Sequence, residues 1–463
     1  MRLDALFFKK FVEELQILSD TEQTIEAFCT DSKNVKKNEI FLAIKGSKFD
    51  GHDFIQEALS RGCAGVFLDQ NKIANLANIP DSLKKDKLFA AVPNTVLALV
   101  QLAKAWRNQF TIPVVGVTGS VGKTSTKEML TSILRHSGKN VLSSFGNQNT
   151  EIGASLNILK MRDEHEVAVF ELGINKPGEM EKLAEIVRPT TAVVTSIGHC
   201  HMAGLGSMQE IAMEKRDIFK TFESTSIGVI NGDLPVLSSV AYAHPVIRFG
   251  AKMTNQIQAR KIKVNSDRIE FSLKIYNKKY PVVLQSSHMG FVFNTLAATA
   301  LAKLLGLDDN VIVEAIQRPF VVSGRFELKK IKGSCSTLIN DCYNANPESM
   351  KAALLAFEKI ETKSKKIAVL GDMLELGVNG PFWHRQVGRF IKKVTSLDRI
   401  ILVGGMMQEI KQILPAGLLV ECSTTWQDAL KKLEKHLETD SIILIKGSNG
   451  TGLGGLVKEL AES

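Results

Sequence analysis

Short β-branched and aliphatic runs recur along this chain, and many lead into stretches whose apolar residues fall three or four apart. Ile112 to Val117 is one such run; behind it, Met129, Leu130, Ile133 and Leu134 mark one face of a helix over Lys123–His136. The same pattern predicts strands at Val141–Ser144, Val167–Phe170 and Thr191–Ser196. Helices are expected from the polar loop Phe145–Gly153 through Lys160, and over Met208–Phe222. A β-hairpin excursion over 257–284 and helices at Phe291–Leu305 and Asn310–Gln317 close this block. Upstream, strands Ile40–Ile44 and Gly65–Leu68 flank a helix at Phe54–Arg61; downstream, strands Thr337–Asn340, Lys366–Leu370, Arg399–Val403 and Ser441–Ile445 alternate with helices. Such alternation implies mostly parallel sheets with right-handed crossovers, so the fold class is α/β. At 463 residues the chain exceeds one core. Three domains are expected: a small α/β unit over 1–110, a doubly wound nucleotide domain over 111–318 and a second doubly wound unit over 319–463.

Composition changes this picture little. A formal net charge of +9 suits an anionic substrate and equally a merely basic surface. There is no basic tail and no arginine–aromatic interleaving, so nucleic acid is not an expected partner. The six cysteines show no CxxC spacing, which fits reduced thiols rather than a disulfide frame or zinc site. The charged N-terminus lacks a signal-peptide core, and the greasy stretch Leu88–Ala103 is broken by Pro93, Asn94 and Gln101. A cytoplasmic protein without membrane insertion is expected.

Candidate chemistry starts at Thr118-Gly-Ser-Val-Gly-Lys-Thr124. A strand, a glycine turn and a helix start aim backbone N–H groups and the helix dipole at one point, which favours a polyphosphate. Gly119, Ser120, Val121, Gly122 and Ser125 would line this cradle; Lys123 can reach the outer phosphates and the Thr124 hydroxyl can join a Mg²⁺ shell. The loop is shorter than the usual form, since position 117 is Val. Glu171 ends an apolar strand of the same sheet, where a second oxygen ligand for Mg²⁺ belongs. His201 could complete a metal shell or be structural, with His199 competing two residues away. Lys215 shares the apolar stripe of Ile211, Ala212, Ile218 and Phe222; either its stem snorkels, or desolvation leaves a neutral amine able to take up CO₂ as a carbamate. Asn294 could read an adenine edge, while Arg325 and Asp341 lie in the third domain and would need domain closure to reach a nucleotide. The patches Asp31-Ser32-Lys33 and Lys45–Asp53 read equally as turns or as diphosphate contacts, and the turn before Pro347 as a helix entry or a site.

These residues together resemble the Mur ligases, the ATP-dependent enzymes that build the peptide of bacterial peptidoglycan, over essentially the whole chain. Besides the ATP loop, Asn147–Gly153 and Glu171–Glu179 are similar to the family's next two blocks, and Tyr343-Asn-Ala-Asn-Pro-Glu-Ser-Met350 and Leu370–Gly377 look like its D-alanyl-D-alanine-adding branch. The resemblance implies a UDP-binding N-terminal domain, a central P-loop ATPase-like domain and a Rossmann-like C-terminal domain. It implies ATP, two Mg²⁺ ions and a carbamylated Lys215 as cofactors, with Lys123, Lys215 and His201 in catalysis and Thr124, Glu171, His201 and Lys215 around metal. Asn294 would face adenine, Arg325 and Asp341 the ATP ribose and phosphates, and Asn344 and Asn346 the incoming dipeptide. Ser32, Lys33, Gly46 and Asp50 would face the UDP-sugar, and Asn149 the substrate. The implied partners are UDP-MurNAc-tripeptide and D-Ala-D-Ala, acted on by a monomer through an acyl phosphate. Three positions depart from the pattern: Lys33 and Asn449 replace a usual Arg, and His199 a commonly acidic residue. Related amide ligases, folate polyglutamylase among them, and a nucleotide switch or regulatory ATPase are the competing readings; the absence of an Asn-Lys-x-Asp guanine motif counts against a GTPase form of the latter.

Overall fold

A computed structural model of the chain describes residues 3–200, 202–437 and 440–461. It divides into two compact units: residues 1–116, 139–173 and 181–190 form one, and residues 117–138, 174–180 and 191–463 the other.

The first unit carries a five-stranded sheet built from β1 (Gln16–Ser19), β2 (Ala27–Cys29), β3 (Glu39–Leu42), β4 (Gly65–Asp69) and β5 (Leu88–Val92), in the order β1-β5-β4-β3-β2. Its strands are parallel except β1, which runs antiparallel to β5. Alternate residues separate the two faces. Phe41, Val66, Leu68 and Phe89 join one apolar cluster, while Phe67 packs edge-on against Phe8 and Phe28. The greasy stretch after residue 88 splits in two. Leu88–Val92 is the buried β5, and beyond Pro93 the Asn94 side chain caps a helix, Thr95–Arg107, by accepting from the amides of Val96 and Leu97. The same unit holds the parallel pair β7 (Val141–Ser143) and β8 (Val167–Glu171).

Within β6 (Val114–Thr118) the chain passes from the first unit to the second. The helix Lys123–His136 follows, with Met129, Leu130, Ile133 and Leu134 all buried as their spacing predicts. Strands β9 (Thr191–Val194), β10 (Ile227–Asn231), β11 (Val246–Gly250) and β12 (Ile257–Val264) are parallel neighbours in that order. The expected hairpin over 257–284 is a three-stranded meander: β12 pairs with β13 (Ile269–Ile275), which pairs with β14 (Lys278–Leu284), both antiparallel. The helix expected over Met208–Phe222 stops at Arg216 and tightens into a 3₁₀ turn, Asp217–Phe219, which buries Ile218 and Phe219 together.

The same unit contains a six-stranded sheet of β15 (Glu327–Lys330), β16 (Thr337–Asp341), β17 (Lys365–Gly371), β18 (Arg399–Val403), β19 (Leu419–Ser423) and β20 (Ser441–Lys446), in the order β15-β16-β20-β17-β18-β19. Only the edge pair β15–β16 is antiparallel. Central strands here are apolar on both faces. Leu444 and Ala368 join the cluster of helix Pro347–Lys359, whereas Ile443, Ile445 and Val369 join that of helices Trp426–Glu434 and Leu453–Leu460. Helices thus cover both faces, as the continuous hydrophobic runs require. All six thiols are free, and no described helix is long and apolar enough to cross a membrane.

Candidate active site

The buried strand β6 delivers the chain into a turn that only glycine can make. At Gly119 (φ 149°) a Cβ would fall 2.0 Å from Thr195 Oγ1, and at Gly122 (φ 90°) it would fall 2.4 Å from Asn294 Oδ1. The loop is braced from beneath: Ser120 N–H donates to the Ser196 carbonyl (2.8 Å), Val121 N–H donates to Ser196 Oγ (2.8 Å), and Thr195 Oγ1 donates to the Val121 carbonyl (2.7 Å). Two amides of the turn are therefore spent on the scaffold. Gly122 is the N-cap of the helix Lys123–His136, and no side chain caps it. The first-turn amides and the positive end of that helix are left for an anion. Lys123 Nζ donates to the Gly119 carbonyl at 2.9 Å, so its ammonium lies folded over the loop. Thr124, Ser125 and Ser120 are buried around it.

Arg325, two residues before β15, reaches this point. Arg325 Nη2 lies 3.5 Å from Thr124 Oγ1, and its guanidinium sits 4.1 Å from the centre of the Tyr343 ring. Asp341, at the end of β16, is buried and paired with buried Lys446 at 2.7 Å; it also accepts from Phe326 N–H at 3.1 Å. Lys446 further donates to the Asn344 carbonyl (3.1 Å), tying the turn 344–346 to the sheet. Asn344 is exposed, whereas Asn346 is buried as N-cap of Pro347–Lys359, its Oδ1 accepting from Ser349 N–H at 2.8 Å. Asn294, in the helix Gly290–Leu304, directs Oδ1 toward the Gly122 turn and within 3.4 Å of the Thr126 hydroxyl.

Among the buried polar atoms without a hydrogen-bond partner are Lys215 Nζ and Glu171 Oε2. Lys215, in the helix Met208–Arg216, is 0% exposed, and its Nζ has no hydrogen-bond partner. Burial, reinforced by Lys123 and opposed by Cys200 and Glu214, brings its pKa down to about 8. In the first unit, Glu171 is 2% exposed at the end of β8. Asn149 Nδ2 donates to its Oε1 at 2.8 Å, and its own N–H donates to Ser144 Oγ, but Oε2 is buried without a donor. An orphaned buried carboxylate oxygen fits a divalent cation, since nothing else offsets its desolvation. Lowering the Lys215 pKa enlarges the uncharged fraction of its amine, the form that takes up CO₂. Among the described residues no three His, Cys, Asp or Glu gather as a metal cluster, and His201 lies outside the described residues.

The N-terminal candidates are engaged locally. Ser32 Oγ donates to Glu57 Oε2 at 2.6 Å, and Lys33 is exposed beside Asp31. Gly46 N–H donates to the Phe49 carbonyl in a turn. Asp50 pairs with Lys72 at 3.1 Å and with buried His52 at 2.5 Å. Desolvation opposes its charge, but hydrogen bonds from His52 and Lys72 prevail and hold its carboxyl well below the usual range. The block Tyr343–Met350 is legible in the sequence, but the contacts its members make, Tyr343 with Arg325 and Glu348 with His199, are not, nor is the pairing of Lys446 with Asp341; all join positions far apart in the chain.

The chain matches the Mur ligase middle domain over residues 117–302, the Mur ligase glutamate ligase domain over 324–449 and the Mur ligase family catalytic domain over 24–107. It is 33% identical over 450 residues to the UDP-N-acetylmuramoyl-tripeptide–D-alanyl-D-alanine ligase of Bacillus subtilis (strain 168), covering 96% of this chain and 94% of that one. Among solved structures, MurF from Acinetobacter baumannii superposes with a TM-score of 0.83 at 27% identity, over 99% of this chain and 98% of that one. MurF ligase from Thermotoga maritima, solved in complex with ADP, gives 0.78 at 26% identity, over 94% and 96%.

Proposed function

Because the chain belongs to the Mur ligase family, we propose that it is the member that joins D-alanyl-D-alanine to UDP-N-acetylmuramoyl-tripeptide at the expense of ATP. ATP-dependent amide-bond formation in peptidoglycan precursor synthesis is the work of this family, and the chain is an active ligase of that kind. The matched ranges support domains at 1–110, 111–318 and 319–463 for the UDP-sugar, for ATP, and for completing the ATP and dipeptide sites. The enzyme would act in the cytoplasm as a monomer on small-molecule substrates.

The observation that carries the reading is the uncapped helix start behind Gly122, with Lys123 folded over it and the Arg325 guanidinium beside Thr124. First-turn amides, Lys123 and Arg325 neutralise the polyphosphate, while Asn294 and Asp341 orient the nucleoside. The Gly119 and Ser125 positions close the cradle, and Ser120 and Val121 hold its shape. A carboxylate oxygen of the tripeptide then attacks the γ-phosphorus, the bond to ADP breaks, and an acyl phosphate forms. The dipeptide amine attacks the acyl carbon; the tetrahedral intermediate loses a proton and expels phosphate, leaving the amide. Lys123 and Arg325 stabilise charge that grows on the transferring group, the largest kind of contribution in such sites. Thr124 and His201 would offer ligands to Mg²⁺, with Lys215 as its carbamate serving a second ion, and the orphaned Oε2 of Glu171 would likewise take a divalent cation; bound Mg²⁺ supplies further charge neutralisation. Asn149 keeps the Glu171 carboxylate aimed. Ser32, Lys33, Gly46 and Asp50 would receive the UDP-sugar, and Asn344 and Asn346 the dipeptide.

Incubation with ATP, Mg²⁺, UDP-MurNAc-tripeptide and D-Ala-D-Ala should yield a product heavier by the dipeptide less one water, with phosphate release dependent on both acceptor and donor. Lys123→Ala should lower that release by at least about a hundredfold. Near-normal turnover in the variant, or hydrolysis indifferent to the dipeptide, would reject the reading.

A further inference from the structure

The loop after β9 grips the start of a helix that packs on the C-terminal sheet. Glu348 takes two donors from one residue: His199 Nδ1 lies 2.5 Å from its Oε1, and the His199 backbone N–H donates to its Oε2 at 3.2 Å. A carboxylate only accepts, so Nδ1 carries the proton. The imidazole also lies against Trp383, with ring centroids 4.0 Å apart and planes inclined at 43°. Gly198 is part of the fit, since a Cβ there would come within 3.2 Å of Glu348 Oε2.

This contact continues in both directions. Toward the phosphate loop, Gly198 N–H donates to Ser120 Oγ at 2.9 Å, and the Ser120 hydroxyl donates back to the Gly198 carbonyl at 3.2 Å. Toward the C-terminal sheet, Glu348 is the second residue of the helix Pro347–Lys359, whose N-cap is Asn346 and whose entry turn contains Asn344. Hydrogen bonds and short backbone steps, Gly198 to His199 and Glu348 through Pro347 to Asn346, therefore run from Ser120 to the Asn344–Asn346 turn without a gap, a physical network of the kind able to carry coupling.

We propose that His199 is a positioning residue for the incoming dipeptide: through Glu348 it holds the Asn344–Asn346 turn in register with the phosphate loop. The inference rests on the ligase reading given above. Removal of the imidazole leaves Glu348 with only the backbone donor and frees the helix start, so the dipeptide site loosens while the cradle, braced separately by Thr195 and Ser196, keeps its shape. An acidic side chain at 199 would set like charges against Glu348, and glutamine would retain a donor.

The test is steady-state phosphate release by the full chain, varying ATP and D-Ala-D-Ala separately at saturating UDP-MurNAc-tripeptide. His199→Ala should raise KM for the dipeptide about tenfold, the scale of one charge-assisted hydrogen bond. KM for ATP and the melting temperature should stay near wild type. His199→Gln should recover most of the loss, His199→Asp should be at least as impaired as His199→Ala, and His199→Ala/Glu348→Ala should be no worse than either single change. An unchanged dipeptide KM in His199→Ala, an equal rise in both KM values with a lowered melting temperature, or strict additivity of the pair overturns the proposal. A wild type that forms no product with the dipeptide overturns the ligase reading itself; a working wild type beside an unaffected His199→Ala overturns this inference alone.

Discussion

Lys215 shows how one buried atom sets both stability and reactivity. Its folded pKa of about 8 lies below the roughly 10.4 of a free lysine, so the native state disfavours the proton. Above about pH 10 neither state holds it and there is no penalty; the penalty grows as pH falls toward 8 and is complete below that. In CO₂-depleted buffer, Lys215→Met should therefore stabilise the fold by about 3 kcal/mol at pH 7, and the gain should vanish in melts near pH 11. With bicarbonate present, intact mass measured without acid should show a species heavier by one CO₂ that Lys215→Met lacks. Gly122 gives a second residue-level prediction. Gly122→Ala meets both a positive φ and Asn294 Oδ1, which together should destabilise by about 1–3 kcal/mol and raise KM for ATP. Such sites were unequally legible. The cradle could be read because its chemistry is contiguous in sequence. Asn149 was expected to face the substrate, but its hold on Glu171 could not be read, since the two lie twenty-two positions apart and nothing local signals that contact.

Elements with their own punctuation were readable. Residues 123–136 carry a clean apolar stripe, and Pro347 marks a helix entry that the structure places at its first residue. The parallel strands β10 and β11 went unrecognised because their short runs lie among turn residues, with little periodicity to separate them from loop. The tightening after Arg216 was hidden too, because no Gly or Pro announces it; burial of Ile218 and Phe219 decides it instead. The helix Pro347–Lys359 offers the test at this scale. Asn346 and Ser349 form a reciprocal cap, each side chain bonded to the other's backbone N–H. Asn346→Ala should cost about 1 kcal/mol in chemical denaturation and shift the adjacent turn. The cap and the proposed dipeptide site share a residue, so the variant should weaken dipeptide binding as well as stability, while Asn346→Asp should preserve the cap.

At the scale of the whole molecule, charge is the property that composition fixed and folding did not change. The chain carries a formal net charge of +9, while both nucleotide substrates of the proposed reaction are polyanions and the dipeptide is a zwitterion with no net charge. A positive molecule raises its encounter rate with anions over a range set by the Debye length, about 10 Å at 0.1 M salt and 3 Å at 1 M. Exposed lysines contribute to that field wherever they lie, so no single substitution should abolish it. Raising ionic strength from about 0.02 to 0.5 M shrinks the screening length severalfold, and kcat/KM for ATP and for UDP-MurNAc-tripeptide should fall together. The kcat/KM for D-Ala-D-Ala should change far less, because a dipole gains little from a net field. Equal sensitivity of all three would point to a salt effect on the fold rather than on encounter, and thermal melts across the same series would separate the two.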